Sequence, residues 1–348
     1  MSSKTSSVFY FYGDLLMGST TVRMEEGIVV ECGAKTYSLD PSSPVNTDYV
    51  FISHAHIDHV CNGIKNNLIS SKETVTIARE RGFDLPDPID FEGIELFDSG
   101  HIVGSKSILI SNEVFYTGDI ALRPRAFLKS PKIPRAKTLI IEATYGHKRY
   151  SFPSPATVVD EANKLISGMY SKGVPVILCG YVLGKAQVLS YLFSSWSPIY
   201  VHESIKRMND VCSNLGVKLD SFKSYQEAKK EGLLEKRPWV MIAPSYFPTN
   251  KMVSYLKEKY GAAAFSFSGW AVDRRFKNFN GQDYQLPLSD HCDFNDLIKI
   301  VKKVDPERIY TVHGFSREFA NVLKRLGYEA RALVGDQSSI TDFSSYND

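Results

Sequence analysis

The chain has 348 residues, 43% hydrophobic and 23% charged, with a formal net charge of +2. That length suits one large domain or two ordinary ones, and so even a charge balance excludes binding to polyanions through the overall field, leaving only local basic patches. Five scattered cysteines (Cys32, Cys61, Cys179, Cys212, Cys292) with no CxxC pair exclude a disulfide frame and a thiolate metal site. The N-terminus lacks the apolar core of a signal peptide, and no stretch reaches the roughly 20 apolar residues of a membrane span, so a cytoplasmic protein is expected.

In chain order, Val8 to Phe11, Thr20 to Arg23, Ile28 to Val30 and Thr36 to Leu39 alternate with turn residues and read as a β-meander. It ends at Leu39-Asp40-Pro41, a carboxylate at a strand end. Tyr49 to Ile52 reads as a buried strand, followed by Ser53-His54-Ala55-His56-Ile57-Asp58-His59. Three of the chain's eight histidines and an aspartate crowd into this loop. Neutral imidazoles with a carboxylate suit zinc or a similar borderline cation, so the loop reads as a metal site, with Asp58 able to cap a helix that follows. Glu73 to Gly82 reads as a helix capped by Ser70 or Ser71.

Next comes His101, alone between Gly100 and Gly104. Strands over Ser107 to Ile110 and Val114 to Tyr116 lead into Thr117-Gly118-Asp119, Thr138 to Ile141 into Glu142, and Arg308 to Val312 into His313. Open α/β architectures assemble their sites just past the C-terminal ends of strands. Five such residues, Asp40, His54, Asp119, Glu142 and His313, imply that one edge of a sheet sandwich carries a site. Between Ser151 and Phe267 helices (Pro155 to Lys172, Gly184 to Ser194, Glu203 to Leu215, Val253 to Tyr260) alternate with strands, which indicates a small parallel sheet in an inserted domain.

HxHxDH, a glycine-flanked histidine, Gly-Asp after a strand and a late histidine, in this order, resemble the metallo-β-lactamase superfamily. Ile141-Glu142-Ala143-Thr144-Tyr145-Gly146, Ser289-Asp290-His291 and Thr311-Val312-His313-Gly314 resemble motifs A, B and C of its β-CASP nucleases, and Gly184-Lys185-Ala186-Gln187 resembles their Gly-Arg-x-Gln stretch. The chain looks most like the DNA-ligase-associated exonucleases, and shares most of these residues with archaeal mRNA 3′-end-processing-like factors. The inserted segment is short for the RNA-cleaving members, whereas a histidine at motif C is more typical of them than of the DNA cross-link repair branch.

The resemblance implies an α/β (α+β) protein: an αββα sandwich with an inserted small α/β domain, divided as 1–150, 151–267 and 268–348. It implies two zinc ions, with manganese as a substitute, one held by His54, His56 and His101, the other by Asp58, His59 and His313, and Asp119 between them. Asp40 is expected to position the HxHxDH loop, and Glu142 to orient His291 toward a scissile phosphate. Two cations acidify a water and clamp a phosphate through an in-line displacement, which needs no protein nucleophile.

Arg123, Arg125, Lys129, Lys132, Arg135 and Lys137 form a basic run, and Arg274, Arg275 and Lys277 a second. These clusters, with Lys185, are candidate phosphate contacts, set against the alternative of a solvated charged face. Tyr145, Tyr181 and Trp270 are candidate base-stacking residues or packing residues. The expected activity is a metal-dependent phosphodiester hydrolase, an exonuclease on single-stranded DNA in repair, possessing by resemblance a DNA ligase or helicase partner and no membrane association. RNA 3′-end processing is the alternative within the family, and glyoxalase-II-like thioester or lactam hydrolysis the alternative outside it.

Overall fold

The computed structural model describes residues 20–65, 67–245, 251–273, 275 and 283–333. The expected strand at Val8 to Phe11 lies outside them. The meander forms as β1 (Thr21–Met24), β2 (Ile28–Cys32) and β3 (Lys35–Leu39), antiparallel throughout, and β4 (Tyr49–Phe51) and β5 (Leu68–Ile69) extend the sheet parallel to β3. Helix α1 (Lys72–Glu80) starts at Ser71, whose side chain accepts from Thr74 N. A second sheet opens with β6 (Ile94–Asp98), β7 (Lys106–Ile110) and β8 (Val114–Tyr116), antiparallel, and continues through β9 (Thr138–Glu142), parallel to β8.

The chain then builds a third sheet. Helix α2 (Pro155–Tyr170) has Ser154 as its cap and proline in its first turn, where a missing N–H costs nothing. There follow β10 (Val176–Gly180), α3 (Lys185–Leu192), β11 (Ile199–Val201), α4 (Glu203–Asn214), β12 (Lys223–Ser224), α5 (Tyr225–Lys230), β13 (Val240–Pro244), α6 (Lys251–Tyr260), β14 (Ala263–Phe267) and β15 (Tyr284–Leu286). All six strands are parallel, in the order β12-β11-β13-β10-β14-β15. Helix α7 (Phe294–Val304) leads back to the second sheet, where β16 (Arg308–Val312) pairs with β9, and α8 (Ser316–Arg325) leads to β17 (Glu329–Ala332) beside β16.

Strand periodicity divides the cores. Ile140 packs between the first two sheets with Leu39, Phe51, Ile108, Tyr116 and Val312. Its neighbours Leu139 and Ile141 face the other way, under Leu297, Ile300 and Val301 of α7 and Phe319 and Leu323 of α8. On the far side of the first sheet, Val50 and Ile52 pack on Val75 and Ala78 of α1. The layers therefore run helix, sheet, sheet, helix. The third sheet is covered on both faces, Leu178 and Ile242 on one and Ile177 and Met241 on the other, so its strands are apolar without alternation. No helix among the described residues is long and apolar enough to cross a membrane.

Candidate metal centre

The ends of β3, β4, β8, β9 and β16 bring Asp40, His54, Asp119, Glu142 and His313 toward one edge of the sandwich. The loop after β4 makes a single 3-10 turn, Ile57–His59; Asp58 sits inside it and caps no helix, because the chain leaves the turn extended at Val60. His54, His59 and His101 are buried, and their Nε2 atoms lie 3.5, 3.6 and 3.6 Å from Asp119 Oδ2. His56 Nδ1 lies 3.0 Å from His54 Nε2 and 3.2 Å from His101 Nε2.

Outer hydrogen bonds fix every ring. Ser53 Oγ donates to Asp40 Oδ2 at 2.6 Å, so His54 Nδ1, 2.8 Å away, must be the donor to Ser53 Oγ. His59 Nδ1 donates to Asp40 Oδ2 (2.8 Å), His101 Nδ1 to the Asp290 carbonyl (2.9 Å) and His56 Nε2 to the Leu183 carbonyl (3.3 Å). The inward nitrogens of His54, His56 and His101 are then bare lone pairs facing one another. Such an arrangement repels itself unless a cation or proton lies among them. Tetrahedral zinc with N–Zn bonds of about 2.0–2.1 Å sets its ligand nitrogens about 3.4 Å apart, close to the spacing here, so these donors fit the ion.

Burial, reinforced by neighbouring histidines, holds His54 and His101 well below the ordinary imidazole pKa, and burial lowers His56 too. Each shift favours the neutral ring, the form in which an imidazole binds a metal. Burial acts on His59 in the same sense but is outweighed by Asp119, Asp58 and Asp40, which push it well upward. Asp58 Oδ2 is 3.6 Å from His59 Nε2 and 45% exposed, and the His313 ring lies 5.5 Å from the His59 ring. This second group of donors is looser than the first. His313 has φ +60, a left-handed turn at a non-glycine residue that swings the chain off β16.

Asp40 engages protein donors with both oxygens: Oδ1 accepts from Ser53 N (2.7 Å), and Oδ2 from Ser53 Oγ, His59 Nδ1 and Tyr116 Oη (2.8 Å). Glu142 is fully buried and accepts from Ile120 N (2.8 Å) and the Thr144 hydroxyl, while His291 Nδ1 is 3.0 Å from its Oε1. Desolvation raises the Glu142 pKa, but His291 and these donors lower it more. His291 is raised to about 9, burial being overcome by Glu142 and Asp119. Its ring stands 4.7 Å from that of His101.

The basic residues behave differently from the open phosphate contacts read from their run in the sequence. Arg123 is engaged with Asp293, Asp296 (2.6 Å) and the Phe152 carbonyl (2.7 Å). Arg125, 1% exposed, donates to the His101 carbonyl (2.6 Å) and Asp290. Lys185, 3% exposed, donates to the Leu288 carbonyl and Asp290 Oδ1 (2.9 Å). These placements have one physical reason: acidic partners far along the chain draw the heads inward, where they brace the loops around His101 and His291. Arg275 is 62% exposed and paired with Asp273; Arg274 and Lys277 lie outside the described residues. Lys129, Lys132 and Arg135 remain exposed. Ser53, Tyr116, Thr144 and the Leu183 carbonyl were given no role from the sequence, although Ser53 adjoins the histidine motif and Thr144 lies inside the Glu142 motif.

Residues 280–333 match the family model of the Zn-dependent metallo-hydrolase RNA specificity domain. The chain is 30% identical over 303 residues to the "Probable DNA ligase" of Opitutus terrae, covering 82% of this chain but only 29% of that one. It is 24% identical over 375 residues to "Probable RNase MJ4" of Methanocaldococcus jannaschii, covering 82% and 87% of the two chains. A protein of unknown function from Enterococcus faecalis V583 has the same fold, with a TM-score of 0.61 at 14% identity over 92% of this chain and 98% of that one. Taken with the histidine and carboxylate cluster at the strand ends, these likenesses place the chain in the β-CASP nuclease family of the metallo-β-lactamase superfamily.

Proposed function

We propose that the protein is a divalent-metal-dependent nuclease that hydrolyses phosphodiester bonds, acting as an exonuclease on single-stranded DNA in repair. The observation that carries this reading is the convergence of bare imidazole lone pairs around the Asp119 carboxylate, with the Glu142–His291 pair alongside. His54, His56 and His101 would hold one ion and Asp58, His59 and His313 a second, with Asp119 available to both; zinc suits the donors and manganese is the alternative. Bound there, divalent cations supply charge to a phosphodiester's non-bridging oxygens and acidify water at neutral pH.

The remaining work falls to the chain. Asp40 holds His59 and the Ser53 amide, fixing the loop. Glu142 keeps His291 protonated, so that its imidazolium can hydrogen-bond a phosphate or give a proton to the leaving oxygen. The domains divide at 1–150, 151–267 and 268–348, with β15 completing the inserted sheet from beyond the second boundary.

DNA as the substrate, and a ligase as a partner, are supported by the name of the Opitutus terrae relative, of which this chain spans less than a third. RNA 3′-end processing is the second reading, favoured by the RNA-specificity model over 280–333. The deciding experiment is a cleavage time course on matched single-stranded DNA and RNA labelled at either end, with zinc or manganese, beside an Asp58→Ala, His59→Ala double variant. A ladder from one end of DNA, lost in the variant, is expected. Preference for RNA selects the second reading. Cleavage of neither by the metal-loaded protein, or full activity in the variant, refutes the nuclease assignment and leaves thioester or lactam hydrolysis to test.

A further inference from the structure

The loop after β10 reaches over the metal centre. The Leu183 carbonyl accepts from His56 Nε2, and a Cβ on Gly184 would stand 3.7 Å from the same nitrogen and 2.5 Å from Ile102 Cγ2. With φ +92 at Gly184, the backbone presses onto the histidine loop in a conformation that glycine adopts freely. Two residues before Leu183 stands Tyr181, anchored by its carbonyl, which accepts from Ala186 N at 3.0 Å. Its side chain is 64% exposed, the highest value among the exposed large hydrophobics of the described residues. Ile57 of the histidine loop, next to Asp58, is also exposed, at 44%.

Among the described residues, the other candidate stacking aromatics, Tyr145 and Trp270, pack against one another. Tyr145 lies against Tyr150 (5.1 Å), Phe152 (5.0 Å) and Trp270 (4.8 Å), and is 3% exposed. Tyr181 therefore offers an apolar face, on a rigidly held backbone, beside the candidate cations, where solvent exposure is otherwise unfavourable.

We infer that Tyr181 is the platform on which the nucleobase next to the scissile phosphate stacks, so that the site selects nucleic acid whose terminal base is unpaired. This rests on the nuclease reading above and adds to it a specificity residue. A base within a duplex already has both faces covered, whereas a splayed one gains a partner here, and every base has a face to offer. Alanine removes the platform, while phenylalanine retains it and deletes only the hydroxyl.

The test compares wild type, Tyr181→Ala and Tyr181→Phe on single-stranded oligonucleotides, intact or abasic at each of the last two positions. Zinc content and melting temperature are measured on each protein. The expected result is a KM roughly 5- to 100-fold higher for Tyr181→Ala on intact oligonucleotide, near-wild-type behaviour for Tyr181→Phe, and a ratio between wild type and Tyr181→Ala that collapses toward one on an abasic substrate. An unchanged KM in Tyr181→Ala, damage in Tyr181→Phe equal to that in Tyr181→Ala, or a penalty that persists in full on abasic substrate overturns the inference while leaving the nuclease reading standing. Wild type that cleaves no oligonucleotide overturns both.

Discussion

Asp40→Asn isolates the outer layer of the centre. The substitution keeps shape and volume, and asparagine tolerates the residue's φ of +46, so the backbone is not the variable. The carboxylate is 4% exposed and accepts four hydrogen bonds, one on Oδ1 and three on Oδ2. An amide must point its NH2 at donors on one side or the other. The cheaper choice sets it against the Ser53 N–H, loses that bond outright and turns three charge-assisted bonds into neutral ones. At about 1–3 kcal/mol for a stranded buried donor and about half the strength lost in each of three charge-assisted bonds, the cost is about 3–7 kcal/mol of stability. Affinity for zinc should fall by about 10- to 100-fold, because the bond that presents His59 Nε2 loses its charge assistance. Denaturant unfolding of the metal-free protein reads the first quantity, and competition with a chromophoric chelator reads the second. If Asp40→Asn matched wild type in both, the account of Asp40 as the organiser of the loop would be wrong.

Three further outcomes follow from the same geometry. In the metal-free protein, NMR titration should find His291 losing its proton near pH 9 and, in Glu142→Gln, well below that; because the folded pKa is raised, the pair's contribution to stability is complete below the ordinary value of 6.5 and is lost as pH rises through about 9. A wild-type titration below 6.5 would contradict this. Lys185→Met leaves the buried Asp290 with Arg125 alone and should cost about 3–5 kcal/mol in urea unfolding, with Lys185→Arg recovering part; a neutral Lys185→Met would show that the clamp on Asp290 is dispensable. Gly184→Ala drives a Cβ into Ile102 at 2.5 Å with φ +92 and should cost about 1–3 kcal/mol, together with weaker zinc retention through His56; a melting temperature equal to wild type would refute the close approach.

The strand-end residues were legible because their chemistry is local: apolar runs fix the strands, and a histidine or carboxylate just beyond each one needs no distant information to be noticed. The Glu142–His291 pair was legible only through motif resemblance, the two residues standing far apart in sequence. The internal pairing of the cations was not legible for a related reason. A run of arginines and lysines looks like a solvated or phosphate-tracking surface until its partners are known, and Asp290, Asp293 and Asp296 lie more than a hundred residues downstream of Arg123 and Arg125. The ring tautomers were not legible at all. Two of them are set by backbone carbonyls, at Leu183 and Asp290, which leave no mark on side-chain identity.

Those two carbonyls have a consequence for how the centre behaves as a whole. Both belong to loops that follow strands of the third sheet, β10 and β15, while the rings they orient belong to the sandwich. Separating the two bodies would release His56 and His101 to take up the other tautomer or a second proton, and either change removes a lone pair from the ion. Occupancy by an ion and closure of the cleft would then share one free energy, each tightening the other by the same factor. Chelation should loosen the seam between the bodies, and a ligand that holds the seam shut should slow the escape of the metal.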